Sequence, residues 1–258
     1  MYNTIIFEKK ESILYISLNR PDVFNAFNED MLTELTDSFE IADVDKEIRC
    51  IVLTGSGKAF CSGQDLKAFN ESKSTFKELL DNKYNPLIKR ISEMKIPVIC
   101  ALNGVAAGAG MSLALACDYR IGSENCSMTE VFINVGLVPD SGSSFFLPRI
   151  VGYAKAFELC VTGEKISAEE ALKLGLLNKV VSGSLLKKYT DIIALQFASR
   201  PTAAIGMIKD LLKSSFESDL DKILNKEGEY QEIAGSTNDF KEGIDSFLEK
   251  RRSNFKGN

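Results

Sequence analysis

Pro97-Val98-Ile99-Cys100-Ala101-Leu102-Asn103-Gly104-Val105-Ala106-Ala107-Gly108-Ala109-Gly110-Met111-Ser112-Leu113-Ala114-Leu115-Ala116 is the stretch around which the chain is organised. Read physically, it is a buried strand, a Gly/Ala turn over 103–110, and a helix that starts at the turn. Small residues let a ligand approach the backbone, and the first N–H groups of the helix have no partner inside it. Such a terminus favours an anion or a developing negative oxygen. Further on, Gly136-Leu137-Val138-Pro139-Asp140-Ser141-Gly142 sets a carboxylate directly after a proline and before another helix start. Amide donors plus one acid are the equipment for making and quenching an enolate.

The uncharged run from Ile96 to Cys117 is long enough to raise the question of a membrane span. Pro97, Asn103 and the glycines of the turn speak against it, as does the lack of an aromatic or basic belt at both ends. A core segment is expected, and no membrane association. At 258 residues the chain can be one large domain, or one domain with a smaller appendage, and can bury a substantial core. Hydrophobic residues at 45% and charged residues at 26% place it among ordinary soluble globular proteins. The net charge of -5 gives no electrostatic footprint for nucleic acid, while 31 basic residues leave room for a local patch facing a phosphate-bearing ligand. Met1-Tyr2-Asn3-Thr4 lacks the charged and apolar regions of a signal peptide. The cysteines (50, 61, 100, 117, 126 and 160) form no Cys-x-x-Cys pair and mostly sit in apolar runs, which reads as reduced core thiols in a cytoplasmic protein.

The count of histidines is 0. That removes Ser-His-Asp and Cys-His catalysis and any histidine-based metal site, and no metal is expected. Proton transfer falls to Asp, Glu, Lys, Tyr, Cys or water.

Residues 3–9 and 12–19 alternate apolar with polar and predict paired strands. A loop follows over 20–27, and Asn28 is placed to cap a helix with Met31, Leu32, Leu35 and Phe39 on one face. Residues 48–54 predict a third strand, leading into the loops Gly55–Phe60 and Cys61–Leu66. Gly55-Ser56-Gly57-Lys58 is not a P-loop: Val52 stands where the first glycine belongs, and Ala59 follows the lysine. Neither Gly55/Gly57 nor Gly108/Gly110 has the third glycine of a dinucleotide fingerprint. One helix is expected over 71–93, a short strand over 117–122, helices over 141–150, 154–162 and 168–174, and a return strand over 176–181. From about residue 185 to the end the pattern is helical, with a break at Arg200-Pro201. Strands alternating with helices, then a helical tail, predict an α/β core with a C-terminal helical region.

Three stretches together resemble the crotonase (enoyl-CoA hydratase/isomerase) superfamily: Lys58–Leu66, Asn103–Gly110 and Gly136–Gly142. The likeness runs from Leu18-Asn19-Arg20-Pro21 to Gly243–Arg251, so it covers nearly the whole chain. The resemblance implies a ββα-spiral, acyl-CoA-binding core over 1–198 and a C-terminal helical trimerisation region over 199–258, assembled as a homotrimer or a dimer of trimers. It implies acyl-CoA thioester substrates, with coenzyme A part of the substrate and no separate cofactor. Carried over by motif, the amides of Gln64 and Ala109 hold the thioester oxygen, and the Gln64 side chain is incidental. Each such donor is worth about 2.7–4 kcal/mol when the oxygen becomes an enolate. Val23, Phe24 and Ala26, with Ser62, Gly63, Asp65 and Leu66, are expected to border the CoA, and Gly108, Phe132 and Pro139 the acyl group. Phe255 and its basic neighbours are a looser transfer, toward CoA on an adjoining subunit.

The departures from the family are informative. The two glutamates with which the hydratases hold water fall on Ser112 and Phe132. The acid is instead Asp140, at the position used by several isomerases of the family, including 1,2-epoxyphenylacetyl-CoA isomerases and a branch of the 3-enoyl-CoA isomerases. Glu130 is the nearest other acid and stands two residues off register. Adding water needs a group that activates it and a proton for the neighbouring carbon, whereas moving a double bond from C3 to C2 needs one base. An acyl-CoA isomerase with Asp140 as proton shuttle is therefore expected, its pKa raised by burial near Phe132 and Pro139. Hydratase activity, epoxyphenylacetyl-CoA ring isomerisation, and a non-catalytic acyl-CoA- or RNA-binding role are the alternatives. Read from spacing alone, Asp140 is also a helix N-cap, and Ser112 a packing residue.

Overall fold

Alternating apolar residues make the first hairpin, in which β1 (Ile5–Lys10) pairs antiparallel with β2 (Ile13–Leu18). The Asn28 side chain accepts from the Met31 amide at 3.0 Å and starts α1 (Glu29–Val44), which buries Met31, Leu32, Leu35 and Phe39 as their spacing predicts. Next come β3 (Cys50–Gly55), β4 (Ala59–Cys61), α2 (Leu66–Glu71), α3 (Phe76–Leu79) and α4 (Asn85–Glu93). β5 (Val98–Leu102), β6 (Val105–Ala107) and α5 (Ala109–Ala116) form the central unit. β7 (Tyr119–Ser123), β8 (Ser127–Thr129), α6 (Ser143–Val151) and α7 (Tyr153–Thr162) follow it. β9 (Ile166–Ser167), α8 (Ala168–Lys173), β10 (Lys179–Val181) and α9 (Leu186–Ala198) complete the core. The chain ends in α10 (Thr202–Ser214), α11 (Leu220–Gly235) and α12 (Asn238–Leu248). The computed structural model describes residues 2–71 and 74–258.

Two sheets advance together. A 6-stranded sheet runs β1-β2-β3-β5-β7-β10, and a 4-stranded sheet runs β4-β6-β8-β9. In the pairs β3/β4, β5/β6 and β7/β8, the first strand joins the large sheet and the second the small one, giving the spiral of ββα units. The central strands β3 and β5 of the large sheet are buried on both faces over residues 50–53 and Val98–Leu102, so these segments are continuously apolar rather than alternating. Ile51, Leu53, Val98, Cys100 and Leu102 pack toward the main core, while Cys50, Val52, Ile99 and Ala101 pack with Ala194 and Ala198 of α9. Every residue of α5 is buried between these layers, and apart from Ser112 the helix is apolar on every face.

Several sequence expectations change. Residues 103–110 are not one turn: Asn103-Gly104 and Gly108, at φ 50°, turn, and Val105–Ala107 between them pairs as β6 with β4 and β8. The whole small sheet is absent from the sequence reading, since strands of two or three residues carry no alternation to detect. The uncharged run over 96–117 divides among β5, β6 and α5, and no helix among the described residues is long and apolar enough to cross a membrane. The single helix expected over 71–93 is broken. Thr75 and Glu78 form a reciprocal capping box that starts a new helix, and Leu80–Tyr84 is a wider π turn ahead of Pro86. Proline has no N–H for the carbonyl one turn back and its ring crowds it, which a widened turn relieves. Residues 72 and 73 of that expected helix lie outside the described residues. The tail breaks twice more than predicted, where Asp219 and Thr237 cap α11 and α12, and it is not helical after Leu248.

Candidate active site

A cleft opens where the small sheet, α5 and the π turn meet. Its lining includes Gln64, Ala109, Tyr84, Phe132 and Asp140, and Ser62, Gly63, Leu66 and Gly108 complete its backbone side.

Gln64 belongs to the loop after β4, which is fixed by an isolated parallel bridge to Phe27. The Phe27 amide donates to the Gly63 carbonyl at 2.8 Å, and the Asp65 amide donates to the Phe27 carbonyl at 2.9 Å. Successive N–H groups of extended chain point to opposite sides, so the Gln64 N–H faces away from Phe27. Ala109 is the first residue of α5, where an amide has no intrahelical acceptor. Neither amide donates to an acceptor among the described residues. A Cβ on Gly63 would lie 2.8 Å from the Ala107 carbonyl oxygen and 3.6 Å from the Ala109 nitrogen, so the two donor segments touch only because Gly63 has no side chain. A further close approach between these segments is at Gly110, where a Cβ would meet the Cys61 carbonyl oxygen at 2.3 Å. The glycine lets α5 seat directly on β4, bringing its N-terminus to the loop that carries Gln64.

The Gln64 side chain, expected to be incidental, clamps this loop. Its Nε2 donates to the Phe27 carbonyl at 3.2 Å and the Asp65 carbonyl at 3.1 Å, and its Oε1 accepts from the Tyr84 hydroxyl at 2.6 Å. Tyr84 went unnoticed in the sequence; the only signal for it was Pro86 in an otherwise helical run. Burial pushes the Tyr84 hydroxyl well above its usual pKa, with the charges of Cys61 and Asp140 adding to the effect. It therefore keeps its proton and stays a hydrogen-bond donor to Gln64 at any working pH.

Asp140 is not a helix cap. The N-cap position of α6 is Gly142, at φ 84° and with no side-chain cap, and Ser141 is also left-handed at φ 51°. These two residues turn the chain so that the Asp140 carboxylate lines the cleft and accepts from the Ser141 hydroxyl at 2.8 Å. Its backbone carbonyl accepts from the Ser112 hydroxyl and from the Ser143 amide, each at 3.0 Å. Burial raises the Asp140 pKa, and the Ser141 hydrogen bond offsets part of that rise. Phe132 is buried in the 3-10 turn Val131–Val135 and forms a wall of the cleft. Glu130, passed over in the sequence, is fully buried beside this turn, and its pKa is pushed up to about 7 by burial and by the charge of Asp140.

Val23, Phe24, Ala26, Asp65 and Pro139 do not line the cleft. Val23 and Phe24 are exposed and touch the Gln64 loop through backbone: the Ser62 amide donates to the Phe24 carbonyl at 3.1 Å. Asp65 pairs with Arg20 at 3.0 Å and caps α2 by accepting from the Ala68 amide at 3.1 Å, joining the two loops. Phe255 lies apart, against Gly243, and its carbonyl accepts from Arg49 at 2.7 Å. Two amide donors and one half-buried carboxylate of raised pKa in a mainly apolar cleft are suited to removing a proton beside a carbonyl whose oxygen gains charge.

Comparison with known proteins gives the same family throughout. The profile of the family described as Enoyl-CoA hydratase/isomerase matches residues 8–258. The chain is 37% identical over 261 residues to the 1,2-epoxyphenylacetyl-CoA isomerase of Escherichia coli, covering 100% of both chains. It is 35% identical over 256 residues to the crotonyl-CoA hydratase of Syntrophomonas wolfei, covering 98% of both. The crystal structure of the enoyl-CoA hydratase from Bacillus anthracis superimposes with a TM-score of 0.93 at 32% identity, covering 99% of this chain and 100% of that one.

Proposed function

We propose that this chain, which belongs to the enoyl-CoA hydratase/isomerase family, moves an acyl-CoA double bond from C3 to C2 through an enolate, with Asp140 as its single proton shuttle. The observation that carries this reading is that Asp140 is the one acidic residue among the described residues lining the cleft that also holds the Gln64 and Ala109 amides. Ser112 and Phe132 stand where hydratases of the family carry glutamates, and neither can activate water. In the reaction, the Asp140 carboxylate takes a C2 proton and the C–H electrons move into the thioester carbonyl. The Gln64 and Ala109 amides stabilise the resulting oxygen charge. Collapse of the dienolate then draws the same proton from Asp140 to C4, leaving the double bond between C2 and C3.

The 37% identity to the Escherichia coli epoxyphenylacetyl-CoA isomerase, with Phe76, Tyr84 and Phe132 in the lining, favours ring isomerisation as the second reading. The same reading takes coenzyme A as part of the substrate, with no metal, separate cofactor or nucleic acid, in the cytoplasm. It makes 199–258 the trimerisation region, because Leu212, Phe216, Leu220, Phe247 and Leu248 are exposed there. Sedimentation of the purified protein tests the trimer or dimer of trimers.

Conversion of 3-hexenoyl-CoA to 2-hexenoyl-CoA by wild type and Asp140→Asn tests the chemistry. Turnover that collapses in the variant while CoA still binds supports the one-base isomerase. Wild type that hydrates 2-hexenoyl-CoA but does not isomerise refutes it, and turnover of the ring epoxide alone moves the assignment to the second reading.

A further inference from the structure

Among the described residues only two acidic side chains, Glu130 and Asp239, are buried. Asp239 is fully answered, its two oxygens accepting from the Lys256 and Gly257 amides at 2.6 and 2.7 Å. Glu130 is not. Its Oε1 accepts from the Ser143 hydroxyl, its Oε2 has no partner, and no lysine or arginine pairs with it among the described residues. A carboxylate removed from water with one oxygen unanswered and no counter-cation is among the costliest groups a core can hold, and it avoids that cost by keeping its proton.

Its surroundings tie it to Asp140. Glu130 follows β8 and precedes the turn whose Phe132 walls the cleft. Ser143, which donates its hydroxyl to Glu130, donates its backbone N–H to the Asp140 carbonyl at 3.0 Å. The charged and titratable groups facing Glu130 are Asp140, from the loop before α6, and the Cys160 thiol of α7. Burial and the charge of Glu130 push that thiol up to about 11, so it is neutral and adds no charge of its own.

We propose that Glu130 is a positioning residue acting through Asp140: an uncharged acid held behind it, which grips Ser143 and leaves Asp140 as the single negative charge of the site. Two carboxylates so placed do not both ionise readily, so a proton kept on Glu130 fixes which of them is the base. Their protons are lost in two steps, Asp140 first and Glu130 near neutral pH. The catalytic part of the inference rests on the isomerase reading; the protonation state does not.

The test is a pH titration of the full-length protein labelled with carboxyl-13C glutamate and followed by NMR. One glutamate signal is expected to titrate near neutral pH and to be lost in Glu130→Gln. Asp140→Asn removes the neighbouring charge and should move that midpoint to lower pH. Ser143→Ala removes the hydrogen bond that favours the carboxylate and should move it higher. These opposite shifts are read on an intact Glu130, so they stand even if Glu130→Gln folds poorly. If no glutamate titrates above the ordinary carboxylate range, or if Asp140→Asn leaves the midpoint in place, the proposal is wrong. The wild-type isomerisation rate should show an inflection near neutral pH that Glu130→Gln loses, and an inflection persisting in that variant also overturns it. If wild type does not isomerise at all, the isomerase reading fails, while the titration still decides the state of Glu130.

Discussion

The Ser112 hydroxyl donates to the backbone carbonyl of Asp140 at 3.0 Å, spanning from α5 to the loop that carries the acid. The same hydroxyl lies 3.2 Å from the Gly108 carbonyl of its own helix. Because α5 also presents the Ala109 amide, Ser112 fixes the carboxylate and one amide donor relative to each other. Ser112→Ala leaves the buried Asp140 carbonyl with the Ser143 amide as its remaining donor. Losing one such bond costs about 1 kcal/mol of stability. The larger effect should be on kcat, reduced by roughly tenfold with KM nearly unchanged, because small misplacements of a base are paid in rate. Steady-state kinetics beside a thermal melt separates the two effects, and a rise in KM alone would contradict this role.

The direction of the Asp140 shift fixes the sign of two pH effects. The base works when ionised, and burial raises its pKa, so activity should fall on acidification at a pH above the ordinary Asp value of about 3.9. In stability the sign reverses. A folded-state pKa above the unfolded one means that the native state holds its proton longer, so stability falls as pH rises from the unfolded value through the folded one. Asp140→Asn should remove both effects: turnover drops about 10²–10⁴-fold, and the melting temperature at pH 7 is equal to or above that of wild type. A variant that melts lower across the whole pH range would show that the carboxylate is structurally required.

What could be read in the sequence followed from how far each signal extends. The long apolar strands, the face of α1 and the Asn28 cap were all legible, because each repeats or satisfies a known backbone demand. β4, β6, β8 and β9 were not, since three residues or fewer are held by their neighbours rather than by their own pattern. The site divided in the same way. Asp140, Gln64 and Ala109 sit in motifs with fixed spacing, and all three line one cleft. Tyr84 lines the cleft from a π turn and Glu130 lies outside the lining at a strand end, and no local pattern announces either. The cap reading of Asp140 failed because two left-handed residues, Ser141 and Gly142, separate it from α6.

Tyr84→Phe tests whether the Gln64 side chain matters beyond its amide. The substitution removes only the hydroxyl that donates to Gln64 Oε1 at 2.6 Å, leaving the ring in place edge-on to Phe27 at 5.7 Å. Gln64 Nε2 still holds the Phe27 and Asp65 carbonyls, but the amide is free to rotate away from them. Loss of one neutral hydrogen bond, about 1 kcal/mol, corresponds to roughly a fivefold fall in kcat if it acts on the orientation of the Gln64 N–H. CoA affinity should be unaffected. Unchanged kcat would make Tyr84 a wall of the cleft and nothing more.

Gly110→Ala tests the packing that creates the cleft. A Cβ there would lie 2.3 Å from the Cys61 carbonyl oxygen and 2.9 Å from its carbon, and both are backbone atoms of β4 that cannot rotate aside. α5 has to lift away from the strand, and overpacking of this kind costs about 1–3 kcal/mol or more. The lifting also separates Ala109 from the Gln64 loop. Chemical denaturation should show the loss of stability, and whatever folded protein remains should lose turnover by a larger factor than it loses CoA binding. The matching change at Gly228, on α11 and with nothing within 4 Å of its added Cβ, should be neutral or slightly stabilising. If the two substitutions behaved alike, helix propensity and not the contact with Cys61 would be the cause.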